Sequence, residues 1–175
     1  MFHCAGLIHP KRIKELYQVN YLGTKNLVDA SIKAGVKKFI YVSSNSPAGC
    51  NKRRNIPLKE TGSYNPYGNY GKSKMLAEKY VKKMQREGKI DTVIIRPCWF
   101  YGPNQPLRQT TFFSMIKKGN PFIFGNGKNL RSMTYIGNLV EALLLAAEKK
   151  QASGQTYWIA DEKPYTTIEI YKTIC

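Results

Sequence analysis

Short apolar runs alternate along this chain with longer stretches whose apolar residues recur every three or four positions. The short runs are bounded by glycine, proline or polar residues and lie at 1–6, 37–44, 91–97 and 155–161. The longer stretches lie at 11–34, 68–87, 109–118 and 137–149. This alternation predicts strands that alternate with helices, and therefore an α/β fold with a parallel sheet. Further strand-like pieces are expected at 122–124 and 132–136, and Thr166 with Glu169 predicts a capping box that opens a last helix.

The composition limits the classes of protein to consider. With 175 residues, 42% of them hydrophobic, the chain can bury a core. Its longest apolar run, 139–147, contains Glu141 and is too short to cross a bilayer, and the N-terminus has no secretory signal pattern. Four widely spaced cysteines without a CxxC pair, and two histidines without carboxylate partners, predict reduced thiols and no metal site. We therefore expect a cytoplasmic protein with no membrane partner.

The formal net charge of +17 raises the question of nucleic-acid binding. The lysines and arginines occur in short pairs, mostly at the ends of predicted helices, where a cation complements the helix dipole. Only NKRR at 51–54 forms a cluster. A solvated basic surface is the preferred interpretation, no nucleic acid is expected, and RNA binding stays open as a rival.

A phenol and an ammonium one helical turn apart form the clearest chemical signal. Tyr70 and Lys74 share a face of the predicted helix, and an ammonium beside a phenol lowers the pKa of the phenol. A phenol tuned in this way can act as an acid or base near neutral pH. The same spacing occurs at Tyr21 and Lys25 within a helix, so context must separate the two pairs. Tyr70 follows a long loop, and a strand before that loop ends at Ser44, whose hydroxyl could contact the same substrate oxygen.

Five segments together carry a resemblance to a known family. The chain resembles the extended short-chain dehydrogenase/reductase superfamily, in its NAD-dependent epimerase/dehydratase and 3β-hydroxysteroid dehydrogenase-like branch. The segments are FHCAG at 2–6, VNYLGTKNLVDASIKAGVKKFIYVSS at 19–44, PYGNYGKSKMLAE at 66–78, RPCWFYGP at 96–103 and GNGKNLRSMTYIGNLVEALLLA at 125–146. The resemblance implies a doubly wound parallel sheet of the Rossmann type with part of a small C-terminal substrate-binding region.

The resemblance also implies roles for individual residues. Ser44, Tyr70 and Lys74 match the family's catalytic hydroxyl, its acid/base, and the lysine that lowers the tyrosine pKa and binds the nicotinamide ribose of NAD or NADP. Further cofactor contacts are implied for Ala5, Gly6, Ser43 and Pro97, and a supporting role is implied for Asn20, which could equally bridge helix backbone.

On the substrate side, the resemblance implies a small molecule contacted by Ser44, Asn45, Trp99 and Arg131. Arg131 matches an arginine that contacts the diphosphate in nucleotide-sugar members, although a solvated turn residue is the alternative. A guanidinium suits a diphosphate because its donors are bidentate. His3, in contrast, is expected to be a packed core histidine.

The chain departs from the family pattern in two places. The glycine-rich strand–turn–helix that binds the pyrophosphate in this family is absent, as are the first strands, and the only similar glycine pattern is GNG at 125–127. The predicted parts are therefore a nicotinamide-side half of a Rossmann domain at 1–103 and a partial substrate-binding region at 104–175. We expect the isolated chain to bind dinucleotide poorly. In addition, Ser44 is followed by Asn45 and Ser46, where nucleotide-hexose dehydratases have acids, which disfavours elimination.

These observations favour an NAD(P)-dependent epimerase or oxidoreductase acting on a secondary alcohol, with a nucleotide sugar as the leading substrate. A dehydrogenase of sterol-like alcohols is the alternative. A non-catalytic remnant or one half of a split protein is a third reading. A homodimer and an association with a missing N-terminal half are the assemblies left open.

Overall fold

A computed structural model describes residues 1–51, 56–119, 123 and 125–174 of the chain. The chain divides into two compact units: Met1–Pro97 with Glu141–Trp158, and Cys98–Val140 with Ile159–Cys175. Within the described ranges, no helix combines the length and the apolar character that a membrane crossing requires.

The first unit is built on a parallel sheet. Its strands are β1 (Phe2–His3), β2 (Lys38–Val42), β3 (Asp91–Pro97) and β7 (Thr156–Ile159), in the order β1-β2-β3-β7. In the central pair, β2 and β3 run parallel from Lys38 opposite Asp91 to Val42 opposite Ile95. Because both strands advance in the same direction, Ser43 and Ser44 after β2 lie at the same edge of the sheet as the end of β3.

Helices cover both faces of this sheet. One face carries α1 (Ile13–Leu16), a π-helical segment (Tyr17–Gly23), α2 (Thr24–Lys33) and α3 (Gly68–Arg86). The core between these helices and the sheet contains Val28 of α2, Phe39 and Tyr41 of β2, Ala77 and Val81 of α3, and Ile94 of β3. The alternate residue Lys38 points the other way and donates from Nζ to carbonyls at the end of α5 (Ile136–Glu148). Helices on both faces are the doubly wound arrangement expected from the sequence.

In the part of the chain that the structure describes, the second unit contains two short pairs of strands, two whole helices and the start of α5. Strand β4 (Trp99–Tyr101) pairs in parallel with β6 (Met133–Tyr135), and β5 (Leu130–Arg131) pairs antiparallel with β8 (Tyr165–Thr166). The two whole helices are α4 (Leu107–Lys117) and α6 (Thr167–Ile174). A 3₁₀ turn at Lys150–Ala152 belongs to the first unit instead. Thr166 and Glu169 form the predicted reciprocal cap, with N–H groups donating to Glu169 Oε2 at 2.7 Å and to Thr166 Oγ1 at 3.1 Å.

The structure changes some predicted boundaries. Strand β1 ends at His3, so Ala5 and Gly6 follow the strand rather than close it. The predicted helix at 11–34 is continuous from Ile13 to Lys33 but contains the π-helical segment, which apolar spacing does not reveal. Most of the predicted strand at 122–124 and most of the basic cluster at 51–54 lie outside the described residues.

Candidate active site

Lys74 is a buried cation in the second turn of α3. Its side chain is only 3% exposed, and Nζ donates to the Val42 carbonyl at 2.8 Å, at the end of β2. The Tyr41 ring lies beneath the ammonium, with 4.4 Å between Nζ and the ring centroid. Burial lowers the pKa of Lys74 to about 8, opposed by the charge of Glu78. The ammonium is thus held at the carboxyl edge of the sheet rather than in solvent.

Tyr70 and Ser44 meet because the loop after β2 packs against the start of α3. Tyr67 N–H donates to the Ser46 carbonyl at 2.8 Å, and a Cβ on Gly71 would lie 2.6 Å from that same carbonyl oxygen. This close approach places the half-buried Tyr70 phenol near Ser44, whose hydroxyl opposes the rise of the Tyr70 pKa. The Ser44 hydroxyl also lies 3.2 Å from Asn45 Oδ1. Ser44, Tyr70 and Lys74 therefore gather at one edge of the sheet.

The direction of the Tyr70 pKa differs from the expectation. We expected Lys74 to lower it, but burial raises the pKa of Tyr70 above its usual value, and Ser44 alone opposes this effect. The reason is the position of the ammonium, which is directed at the Val42 carbonyl and the Tyr41 ring. Sharing a helix face fixes the two backbone positions, but a lysine side chain is long enough to place its charge elsewhere.

Asn20 joins the segment after β1 to the helices. Its Oδ1 accepts from Leu7 N–H at 2.7 Å, and its Nδ2 donates to the Leu7 carbonyl at 2.8 Å and to Ser73 Oγ at 3.1 Å. A Cβ on Gly6 would lie 3.5 Å from Asn20 Oδ1 and 3.8 Å from Lys74 Nζ. The backbone of the exposed residue Gly6, which follows Ala5, therefore lies close to the Lys74 ammonium. The hydrogen bonds of Asn20 to Leu7 hold this segment in place.

Ser43 has a buried hydroxyl that finds no hydrogen-bond partner among the residues described. It lies between Val42, whose carbonyl binds Lys74, and Ser44. A buried donor without a partner is costly and often marks a ligand position. Together with the backbone of Gly6 and the Lys74 ammonium, this hydroxyl fits the polar, hydroxyl-rich nicotinamide-ribose end of a dinucleotide. Pro97, also predicted to contact the cofactor, is buried at the carboxyl end of β3.

Two predicted substrate residues lie in the second unit. The Arg131 guanidinium stacks on the Trp99 ring at 4.7 Å from its centroid, and Arg131 itself is exposed. The Trp99 ring also contacts Phe112 at 5.4 Å and Phe113 at 6.3 Å between centroids. This exposed cation on an aromatic surface is suited to an anionic or planar ligand group.

Sequence reasoning missed a buried ion pair one turn beyond Lys74. Glu78 is fully buried and accepts two hydrogen bonds from Arg96, at 2.9 Å from Nε and 2.6 Å from Nη2. The Tyr64 hydroxyl donates to the same carboxylate at 2.9 Å, and the guanidinium lies over the Tyr64 ring at 5.5 Å and the Trp158 ring at 5.2 Å. An acid at the fourth position after Lys74, among the apolar core residues Ala77 and Val81 of the same helix, is the signal that could have revealed it.

Comparison with known proteins assigns the chain to a family. The sequence profile of the 3-beta hydroxysteroid dehydrogenase/isomerase family matches residues 1–175. The chain is 46% identical over 175 residues to the uncharacterised protein y4nL of Sinorhizobium fredii, covering 99% of this chain and 49% of that protein. It is 32% identical to a UDP-glucose 4-epimerase of Vibrio cholerae (98% and 55% covered) and 34% identical to the bovine decarboxylating sterol-4-alpha-carboxylate 3-dehydrogenase (94% and 48%). The chain thus spans about half the length of the curated relatives it matches.

Solved structures give the same result for the fold. MoeE5 in complex with UDP-glucuronic acid and NAD superposes with a TM-score of 0.86 at 25% identity, covering 99% of this chain and 60% of that one. UDP-glucose 4-epimerase from Thermotoga maritima with UDP-glucose superposes with a TM-score of 0.85 at 27% identity, covering 99% and 59%. The relatives are nucleotide-sugar epimerases and sterol dehydrogenases on a Rossmann-type fold, and the chain belongs to the 3-beta hydroxysteroid dehydrogenase/isomerase family within the short-chain dehydrogenase/reductase superfamily.

Proposed function

We propose that Ser44, Tyr70 and Lys74 form the catalytic centre of an NAD(P)-dependent enzyme that oxidises or reduces a secondary alcohol. The observation that supports this most directly is the gathering of a hydroxyl, a phenol and a buried ammonium at one sheet edge. These are the three groups needed to orient a carbinol oxygen, move its proton and position a cofactor ribose. NAD or NADP, when bound, supplies the nicotinamide that exchanges hydride with the substrate carbon.

Each residue then has a defined task. Ser44 donates a hydrogen bond to the substrate oxygen and orients it beside Tyr70. As a phenol, Tyr70 donates its proton to the carbonyl oxygen during reduction. During oxidation it must first lose that proton, and the phenolate then takes the hydroxyl proton of the substrate. The raised pKa of Tyr70 keeps the free site in the phenol form, which is the form that donates a proton. Lys74 presents an ammonium for the ribose hydroxyls, with Ser43, Ala5, Gly6 and Pro97 completing the nicotinamide side.

A nucleotide-activated sugar is the substrate class that we favour. One relative is named a UDP-glucose 4-epimerase, and two similar structures contain UDP-glucuronic acid or UDP-glucose. In the second unit, Arg131 on the Trp99 ring has the charge that suits a diphosphate. In the first unit, Asn45 beside Ser44 has an amide that suits a sugar hydroxyl. An amide at that position cannot serve as the base of an elimination, so epimerisation or simple oxidation is the expected outcome. A sterol-like alcohol is the second candidate, supported by the similarity to sterol-4-alpha-carboxylate 3-dehydrogenases.

Ligand binding by the purified chain tests the cofactor side of the proposal. In an NMR titration, nicotinamide mononucleotide is expected to shift the signals of Ser43, Tyr70 and Lys74 at millimolar concentrations. The additional contacts of NAD are expected to contribute no more than about 1.4 kcal/mol of binding free energy. NAD should therefore bind no more than about tenfold tighter than nicotinamide mononucleotide. Shifts confined to other parts of the chain, with Lys74 and Ser43 unaffected, would overturn the assignment.

Turnover tests the catalytic roles separately. UDP-glucose epimerisation is followed by proton NMR, and oxidation of a 3β-hydroxysterol is followed by NADH absorbance. If the chain is active, Tyr70→Phe should lower the rate by about 10²–10⁴-fold, because it removes the proton-transfer group. Tyr21→Phe is the matched control, because Tyr21 has the same spacing to Lys25 on another helix and Lys25 instead pairs with Asp29 at 2.8 Å. Equal losses in both variants would contradict the role of Tyr70. Nicotinamide binding without turnover would favour the non-catalytic reading.

A further inference from the structure

The Lys74 ammonium rests on an aromatic surface that no catalytic role yet explains. The Tyr41 ring centroid lies 4.4 Å from Nζ, well within the range of cation–π attraction. Tyr41 is fully buried, so this attraction acts away from bulk water, where it is strongest. A lysine buried to 3% exposure needs such compensation, because burial by itself favours the neutral amine.

Contacts with other residues fix the position of the Tyr41 ring. His3 of β1 stacks on it at 5.5 Å between centroids with an interplanar angle of 28°. The Thr24 hydroxyl donates its only hydrogen to the Asn20 carbonyl at 2.7 Å. His3 Nε2, 2.9 Å from the same Thr24 oxygen, must therefore be the donor in that contact. Burial, followed by the charge of Lys74, lowers the pKa of His3 to about 4, so His3 is uncharged at neutral pH and adds no cation beside Lys74.

We propose that Tyr41 is a positioning residue that holds the Lys74 ammonium at the site and keeps it charged. Its ring stabilises the cation from below, and the Val42 carbonyl fixes its direction. The stacked His3 ring in turn keeps the Tyr41 ring in place. The importance of Tyr41 for catalysis rests on the proposed function. Its effect on Lys74 does not, because the protonation state of Lys74 can be measured without cofactor or substrate.

The groups that face Lys74 come from three elements. Glu78 on α3 raises the Lys74 pKa through its negative charge, and Cys4 after β1 acts in the same direction. Tyr41 on β2 and His3 on β1 complete the surroundings. Glu78 is already bound to Arg96 and Tyr64, so the ring is the compensating group that can be altered without breaking an ion pair.

The test is an NMR titration of Lys74, with its side-chain signals assigned by their absence in Lys74→Met. In the wild type, the Lys74 methylene protons next to Nζ should be shifted upfield by the Tyr41 ring current, and Lys74 should titrate near its lowered pKa of about 8. Tyr41→Leu removes the aromatic surface and should lower the Lys74 pKa by about one further unit. Tyr41→Phe, the matched control, keeps the ring and should retain both the upfield shift and the wild-type titration.

Either of two results would overturn the proposal. One is the absence of an upfield shift in the wild type, which needs no variant and decides the question even if Tyr41→Leu does not fold. The other is a folded Tyr41→Leu variant, checked by circular dichroism, that titrates at the wild-type pH. Neither result depends on ligand binding or turnover, so a failure here is separate from a failure of the proposed function.

Discussion

One histidine should contribute strongly to the loss of stability of this protein on acidification. His3 is 6% exposed, and its pKa is lowered from 6.5 to about 4, first by burial and second by the charge of Lys74. Because the folded state binds the proton less readily than the unfolded chain, stability is fully present above pH 6.5 and is lost as the pH falls toward 4. Integrating between pH 7.5 and pH 4.5 gives a loss of about 2.5 kcal/mol in the free energy of unfolding. That is a large part of the 5–15 kcal/mol that is typical of a domain, as an order of magnitude.

The assay is urea unfolding followed by circular dichroism at pH 7.5 and pH 4.5, for the wild type and for His3→Gln. Glutamine can still donate to the Thr24 hydroxyl but does not titrate, so the variant should lack about 2.5 kcal/mol of the pH-dependent loss. Carboxylates titrate in both proteins and cancel in the comparison. If the wild type and His3→Gln lose the same free energy on acidification, His3 is not held uncharged and the reasoning is wrong.

Three further changes test the scaffold around the site. Arg96→Met leaves the fully buried Glu78 carboxylate without its cation and should cost about 3–5 kcal/mol, and a Glu78→Gln/Arg96→Met double variant should recover part of this loss in urea unfolding. Gly49 has a φ of +77°, and Gly49→Ala would place a Cβ 2.1 Å from the Asn65 carbonyl oxygen. The loop should therefore shift, and the NMR signals of Ser44 and Tyr70 should move. Unchanged signals of these residues would contradict the close contact. Thr166→Ala removes the α6 cap and should cost about 1 kcal/mol in unfolding free energy.

The alternation of strands and helices was predictable because each element carries its own periodic pattern. The positions of Ser44, Tyr70 and Lys74 also follow from local signals: a strand end, a loop and a helix start. Their catalytic roles remain predictions. The sequence alone did not reveal that Tyr41 lies beneath Lys74, since this depends on how α3 crosses β2.

The wrong direction of the Tyr70 pKa has the same origin. Helical spacing predicts which backbone positions are neighbours. The effect on a pKa depends instead on the position of the charged atom, and Nζ of Lys74 points toward the Val42 carbonyl. Similarly, the Glu78–Arg96 pair joins a helix to a strand 18 residues away along the chain, and local sequence periodicity does not predict such a contact.

The π-helical segment at Tyr17–Gly23 places a constraint on insertions and deletions in this helix. A π turn holds one residue more than an α turn, so shortening the segment by one residue would restore regular α geometry at little cost to the helix itself. The same deletion would tighten the backbone at Asn20 and change the direction of its side chain, while the helix before and after the segment keeps its register. The Asn20 amide would then face away from Leu7, and the chain past Gly6 would lose its anchor. A homologue lacking one residue here should therefore keep the helix and lose the hydrogen bonds that hold the chain after Gly6.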